Sequence, residues 1–278
     1  FLLIIAPTFF SNEIRANEPT VPPKRPNLIF LMTDNQRWDA LGCYGNSIIQ
    51  TPNIDRLAAQ GLRFTNAFCT TSICAATRAS IFTGQYRRTH GYSFEKPPMT
   101  IAAMRKTYPA VLKKAGYRTG FVGKIGVRLN RGTAEEMFDF FRFNQASDTN
   151  QPYYRKSPDG TIKHLTRING DQAVDFLRSS IAKQPFCLSV SFSAPHPEDD
   201  NVRQYIYDRE LEHLYRGVTI PPPPVSEPQH FEQLPEFLRV SMNRQRWFRR
   251  FDTSEKYQRM MKAMYRLITG VDIQIGRI

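Results

Sequence analysis

A doubly wound α/β fold with a mostly parallel central sheet is predicted by three features of the 278-residue sequence. Apolar, strand-like runs alternate with amphipathic stretches along most of the chain, which is the pattern of repeated βα units. The run Leu28–Met32 is continuously apolar, as suits a strand covered on both faces of a parallel sheet. Polar residues with useful chemistry recur directly after such runs, and in open α/β sheets ligands sit beyond those carboxyl ends.

Taken in order, Leu28–Met32 follows Pro26 and runs into Thr33, Asp34 and Asn35, so a strand ends in a turn. Thr51-Pro52 offers an N-cap with proline at the first helical position. Ile54, Leu57 and Ala58 form an apolar stripe and Gly61 is a stop signal, so a short helix is expected there. Residues 62–68 read as another strand, and residues 74–82 as a helix beginning near Cys74. Residues 109–114 read as helix up to Gly116, after which residues 117–122 are extended and deliver Gly123 and Lys124. Val174, Leu177 and Ile181 share one face of a helix expected over 171–182. It leads into Phe186, Leu188, Val190 and Phe192, alternating with Cys187, Ser189 and Ser191, and Ala194-Pro195-His196-Pro197 follows at once. Met261, Met264, Tyr265, Ile268, Val271, Asp272 and Ile275 recur at helical spacing in the last segment. Residues 128–167 and 199–257 read as long irregular excursions, which in compact domains often shape binding sites.

Composition bounds the function. At 41% hydrophobic and 23% charged, with 15 glycines and 20 prolines, the chain is neither collagen nor coiled coil. No apolar run approaches the roughly 20 residues of a membrane-spanning helix. The excess of 38 Lys+Arg over 25 Asp+Glu, a formal +13, favours a polyanionic partner or substrate. Nucleic acid is not supported, for there is no zinc-finger spacing, no RNP-like motif and no continuous basic helix. GxGxxG, Walker A and HExxH patterns are absent as well. The densest basic run is 239–250, where Arg244, Arg246, Arg249 and Arg250 flank Trp247 and Phe248. Such a run is more often a solvated face than a holder of sulfate, phosphate or carboxylate groups. Residues 1–16 read as a secretory signal lacking its basic start, with a buried strand as the alternative, and residues 17–25 as a leader joint. An exported protein, periplasmic or secreted, is therefore expected. Cysteines 43, 69, 74 and 187 form no disulfide framework, so at most one pair is expected, with Cys74 free and the others small buried hydrophobes.

The candidate chemistry centres on Cys74. Arg78 stands four residues on, hence one turn along the same helix face, and a helix N-terminus beside an arginine favours a thiolate. Asp34 and Asn35 offer hard oxygen ligands for Ca²⁺ or Mg²⁺. Each feature alone has a plainer meaning: an apolar cysteine beside a surface arginine, a strand-end turn, a structural histidine at His196, a solvated lysine at Lys124.

In combination and in order, these segments resemble the sulfatase family, of the formylglycine-dependent kind within the alkaline-phosphatase-like superfamily. The resemblance rests on Pro26-Asn27, Asp34-Asn35-Gln36-Arg37, Gly42-Cys43-Tyr44-Gly45 and Thr51-Pro52-Asn53-Ile54-Asp55-Arg56-Leu57-Ala58. Cys74-Ala75-Ala76-Thr77-Arg78 with Thr83-Gly84, then Gly116-Tyr117-Arg118-Thr119-Gly120 to Lys124, then Ala194-Pro195-His196-Pro197 complete it. It covers residues 26–278, the N-terminal part of a catalytic domain. The resemblance implies that Cys74 is oxidised by a formylglycine-generating enzyme, and that the hydrated aldehyde attacks sulfur with one hydroxyl and expels sulfate with the other. It implies a divalent cation, Ca²⁺ or Mg²⁺, held by Asp34, Asn35 and modified Cys74. Arg78 would hold the nucleophile, while Lys124 and His196 would contact the sulfate, His196 acting as an acid toward the leaving group. The implied substrate is a sulfated carbohydrate; the alternatives are an inactive binder of sulfated polymers and a phosphodiesterase or phosphonate hydrolase of the same superfamily. Three positions depart from the family pattern: Asn35 replaces an aspartate, Ala76-Thr77 replaces Pro-Ser, and Ile125-Gly126 replaces Trp-His. Further metal ligands and a further strand are expected beyond residue 278, so the 278 residues alone are expected to be inactive.

Overall fold

Strand β6, Phe186–Ser191, is the axis of the molecule, and its sequence explains why. The computed structural model describes residues 25–94, 98–144, 153–156, 160–180 and 184–278; the expectations for residues 1–16 and 17–24 lie outside these. β6 pairs in parallel with β1, Leu28–Met32, on one side and with β2, Arg118–Gly123, on the other. β3, Phe140–Phe143, adds in parallel to β2, giving the order β1-β6-β2-β3. Leu188, Val190 and Phe192 enter the larger hydrophobic core. Ser189 and Ser191 point the other way yet are also buried, because each meets a polar group from a covering helix. The alternation therefore marks two different packed faces rather than one face in water. A short antiparallel pair, β4 (Tyr154–Lys156) and β5 (Ile162–His164), stands apart from the sheet.

Two helical layers cover the sheet. On one face lie α2, Cys74–Thr83, and α3, Tyr108–Lys114, where Ala75, Ala79 and Phe82 pack with Phe121 and Phe138. On the other lie α4, Leu165–Ser180, and the 24-residue α6, Ser254–Arg277, where Phe176, Met264 and Ile268 pack on Leu188 and Val190. Helix α1, Pro52–Gln60, docks against α6, and α5, Met242–Arg250, precedes α6. The expected doubly wound architecture is present, with α1, α2, β1, β2 and β6 close to their expected bounds.

Several expectations are corrected. Residues 62–68 are not a strand: they form an exposed loop, with Leu62 66% and Phe68 86% exposed, and no strand of the sheet pairs with them. Consequently Cys74 follows a loop rather than a strand. β1 is not covered on both faces, since it is the end strand of the described sheet and Ile29 is 38% exposed. The stretch 128–167 is less irregular than expected, because it contributes β3 to the central sheet. All four cysteines are free, and Cys69 is exposed rather than a buried hydrophobe. Among the described residues, no helix is long and apolar enough to cross a membrane.

Candidate active site

The carboxyl ends of β1, β2 and β6 lie side by side, and four of the expected site residues, Asp34, Arg78, Lys124 and His196, come together there. Asp34, two residues after β1, is 5% exposed, and its backbone N–H donates to the Ala194 carbonyl beyond β6 at 3.2 Å. Lys124 follows β2, and its N–H donates to the Ser191 carbonyl at 2.7 Å. Gly123 allows this crossing: at φ 103° it sits where a Cβ would lie 2.0 Å from the Ser191 carbonyl oxygen. Arg78, one turn into α2, is 3% exposed and passes beneath both strand ends.

These side chains form a charged knot around one carboxylate. Lys124 Nζ lies 2.5 Å and Arg78 Nη2 3.2 Å from Asp34 Oδ2. Arg78 Nη1 donates to the Lys124 carbonyl at 2.6 Å and to Ser191 Oγ at 2.5 Å. Burial alone would raise the Asp34 pKa, but the charges of Lys124 and Arg78 overcome it and hold the carboxyl below its ordinary 3.8. Burial lowers the Arg78 pKa, and the charges of Asp34 and Cys74 oppose that. An arginine remains cationic under such a shift, so the knot holds one negative and two positive charges.

His196 completes the pocket wall. Its Nδ1 lies 2.6 Å from the Pro197 carbonyl oxygen, which only accepts, so Nδ1 carries the proton and Nε2 presents a lone pair. Burial first and the Lys124 charge second depress its pKa below 6.5, against an opposing pull from Asp34. The resting imidazole is therefore neutral near pH 7. The backbone of His196 is held by Tyr153, whose hydroxyl donates to its carbonyl at 2.6 Å.

Cys74 is the first residue of α2 and half-buried, with its electrostatic influence falling on Arg78. Asn35 stands apart in character, being exposed and in the left-handed region at φ 62°. The described residues hold no group of three His, Cys, Asp or Glu side chains arranged for a metal ion. Asp34 and Asn35 offer one carboxylate and one amide, whereas a hard cation takes about six oxygens. The expected metal set of Asp34, Asn35 and Cys74 thus does not by itself fit a bound cation.

Sequence reasoning missed three contributors. Ser191 anchors Arg78 from the end of a strand, and its signal is a small polar residue at the carboxyl end of an otherwise apolar run. Gly126, at φ 64°, leaves the space Arg78 occupies: a Cβ there would lie 2.3 Å from Arg78 Cδ. That close approach explains why position 126 carries no larger side chain. Tyr153 lies far from His196 in sequence and had no local signal. The basic run 239–250 turns inward instead of facing water alone, with Arg246 and Arg250 paired to Asp199.

The sulfatase family model matches residues 26–278. An N-acetylglucosamine-6-O-sulfatase of Bacteroides thetaiotaomicron is 34% identical over 187 residues, covering 65% of this chain and 32% of the relative. An arylsulfatase of Clostridium perfringens is 26% identical over 291 residues, covering 91% of this chain and 58% of the relative. A protein solved with its substrate D-glucosamine-2-N,6-O-disulfate superposes with a TM-score of 0.68 at 23% identity, over 91% of this chain and 61% of that one; at that identity the likeness speaks for the fold. The chain thus spans less than two thirds of the length of these relatives. Over residues 26–278 the chain belongs to the sulfatase family.

Proposed function

We propose that this protein hydrolyses sulfate esters of a sulfated carbohydrate, with Cys74 as the precursor of a formylglycine nucleophile. The observation that supports it best is the Asp34–Arg78–Lys124 knot beside Cys74, a buried anion-holding pocket at the sheet's carboxyl edge. Formylglycine, made by a dedicated maturation enzyme, supplies a hydrated aldehyde with one hydroxyl to attack sulfur and a second to release sulfate. The remaining work belongs to the chain's own residues. Lys124 Nζ, on the more accessible side of the knot, is placed to donate to a sulfate oxygen as charge builds there. Arg78, pinned at three points, keeps Lys124 and the helix bearing Cys74 in register. His196 Nε2 takes up a proton from solvent water as the anionic ester enters and passes it to the departing alcohol oxygen. Sugar-sulfate specificity in relatives supports the substrate class, since one is named for N-acetylglucosamine-6-O-sulfate and a neighbour was solved with a disulfated glucosamine. Export to the periplasm or medium belongs to the same proposal, on the strength of the apolar segment 1–10.

The test is a mass spectrum of the Cys74 peptide from protein made in its native host, together with turnover of sulfated monosaccharides. Conversion of the thiol to an aldehyde with sulfate release is expected. An unmodified Cys74 that still binds sulfated polymer would assign the chain to a binding role, and preferential aryl phosphate turnover would assign it to phosphoester chemistry.

A further inference from the structure

The loop that carries His196 is fastened from a distant helix, and we propose that Arg250 is a positioning residue for His196, acting through Gln204 and Asp199. The inference rests on the reading of His196 given above. Beyond His196 and Pro197 the chain folds back on itself, the Glu198 N–H donating to the Gln204 carbonyl at 2.7 Å. Gln204 is the hub of this turn: it is 0% exposed and held at φ 56°. Its Nε2 reaches the carbonyls of Asn201 at 2.5 Å, Asp199 at 3.0 Å and Glu198 at 3.3 Å. The amide nitrogen is thus committed to the loop backbone, and Oε1 is left to accept from elsewhere.

The donor is Arg250 Nε, at 2.7 Å, 46 residues further along the chain. The same guanidinium binds the Asp199 carboxylate through Nη2, and its side chain is only 11% exposed. Arg246 and Arg249 reinforce the join, the first on Asp199 Oδ2 at 3.0 Å and the second on the Asp199 carbonyl at 2.6 Å. On the opposite side Tyr153 holds the same loop, by its hydroxyl on the His196 carbonyl and by its N–H on Glu198 Oε1 at 3.0 Å. His196 therefore sits on a strap tied at two points. Among the described residues, Arg250 is the one that ties it through a residue both fully buried and conformationally constrained. Removing Arg250 leaves a buried acceptor on Gln204 without its donor, and the loop must open to water to satisfy it. The imidazole moves with the loop.

The experiment is a double-mutant cycle in the complete protein, with 4-nitrophenyl sulfate as the probe and Arg250→Gln, His196→Ala and their combination as variants. Arg250→Gln is expected to lower kcat about tenfold with KM within about twofold, as misplacement of one reacting group does. Arg250→Lys, which keeps one donor, is expected to recover most of that loss. In the His196→Ala background the Arg250 substitution is expected to have no further effect. Unchanged kcat in Arg250→Gln, or losses that multiply in the double variant, would overturn the positioning role alone. Full turnover in His196→Ala would overturn the reading of His196 together with it. Hydrogen exchange of amides 198–204 gives a readout independent of activity: at least tenfold faster exchange in Arg250→Gln is expected, with a smaller increase in Arg250→Lys, which serves as the test should the first variant not fold. Equal protection would reject the strap.

Discussion

Arg78 illustrates how one residue is bound by both stability and chemistry. It is buried against Asp34, the Lys124 carbonyl and Ser191, so truncation takes one of two cations from a buried carboxylate and strands a carbonyl and a hydroxyl in the interior. Arg78→Ala is therefore expected to cost on the order of 3–5 kcal/mol in unfolding free energy, measured by urea denaturation. Lys124, nearer the surface, is the cleaner probe of the proposed function: Lys124→Ala should fold normally and lose at least about tenfold in sulfate-ester turnover. Gly126→Ala tests the same arginine from the outside. Its Cβ would collide with Arg78 Cδ in a left-handed backbone, so reduced turnover and a loss of about 1–3 kcal/mol are expected. His196 gives a pH signature. Its pKa lies below 6.5 in the fold, so the unfolded chain binds its proton first as pH falls. Its stabilising contribution is complete above pH 6.5 and is lost as pH drops toward the folded value; His196→Gln should flatten the stability profile in that window. A profile unchanged by the substitution would mean that the imidazole titrates as it does in water.

At the scale of elements, Asp272 on α6 takes over the capping of α1. Thr51 was expected to cap that helix with its own side chain, yet its hydroxyl accepts from Gly42 N–H at 2.9 Å instead. The orphan donors of α1 go to Asp272, which accepts from Ile54 N–H at 2.8 Å and Asn53 N–H at 3.3 Å, and also from the Asn53 side-chain Nδ2 at 2.9 Å. Asp272→Ala should cost about 1–3 kcal/mol by denaturant titration, because it uncaps one helix and loosens its join to another. The episode shows what the sequence carries and what it does not. β1, β2 and β6 were legible because proline, glycine and polar turns bracket short apolar runs. Residues 62–68 have a strand's composition but no neighbour to pair with, and pairing is a long-range fact. β3 was hidden because its phenylalanines sit in a stretch that otherwise reads as loop. Within the site, Asp34, Cys74, Arg78, Lys124 and His196 were found because each is marked by its local motif. Gly126, Tyr153, Gln204 and Arg250 act through partners distant in sequence, and no local pattern announces them; Ser191 left only the faint mark of a small polar residue at the end of an apolar run.

For the whole molecule, the described sheet ends at β1, whose outer side is flanked by the exposed aromatic residues Trp38, Phe64, Phe68 and Tyr86. An open strand edge beside apolar surface attracts other copies. Residues 1–278 expressed alone should therefore associate as concentration rises, and Ile29→Lys with Phe68→Ser should suppress it in light scattering. The overall +13 charge opposes such association at low salt, so the effect should grow as salt screens it. The same sign prevails inside the pocket, where two cations face one carboxylate and a neutral imidazole. That imbalance treats the two ends of the proposed reaction unequally. A sulfate monoester arrives with a single negative charge, while inorganic sulfate departs with two. A cavity with surplus positive charge grips the dianion harder, so the enzyme would be throttled by its own product. If the proposed reaction holds, turnover in the complete protein is expected to be limited by sulfate egress, accelerated by moderate salt and competitively blocked by free sulfate or phosphate, as product-inhibition kinetics would show.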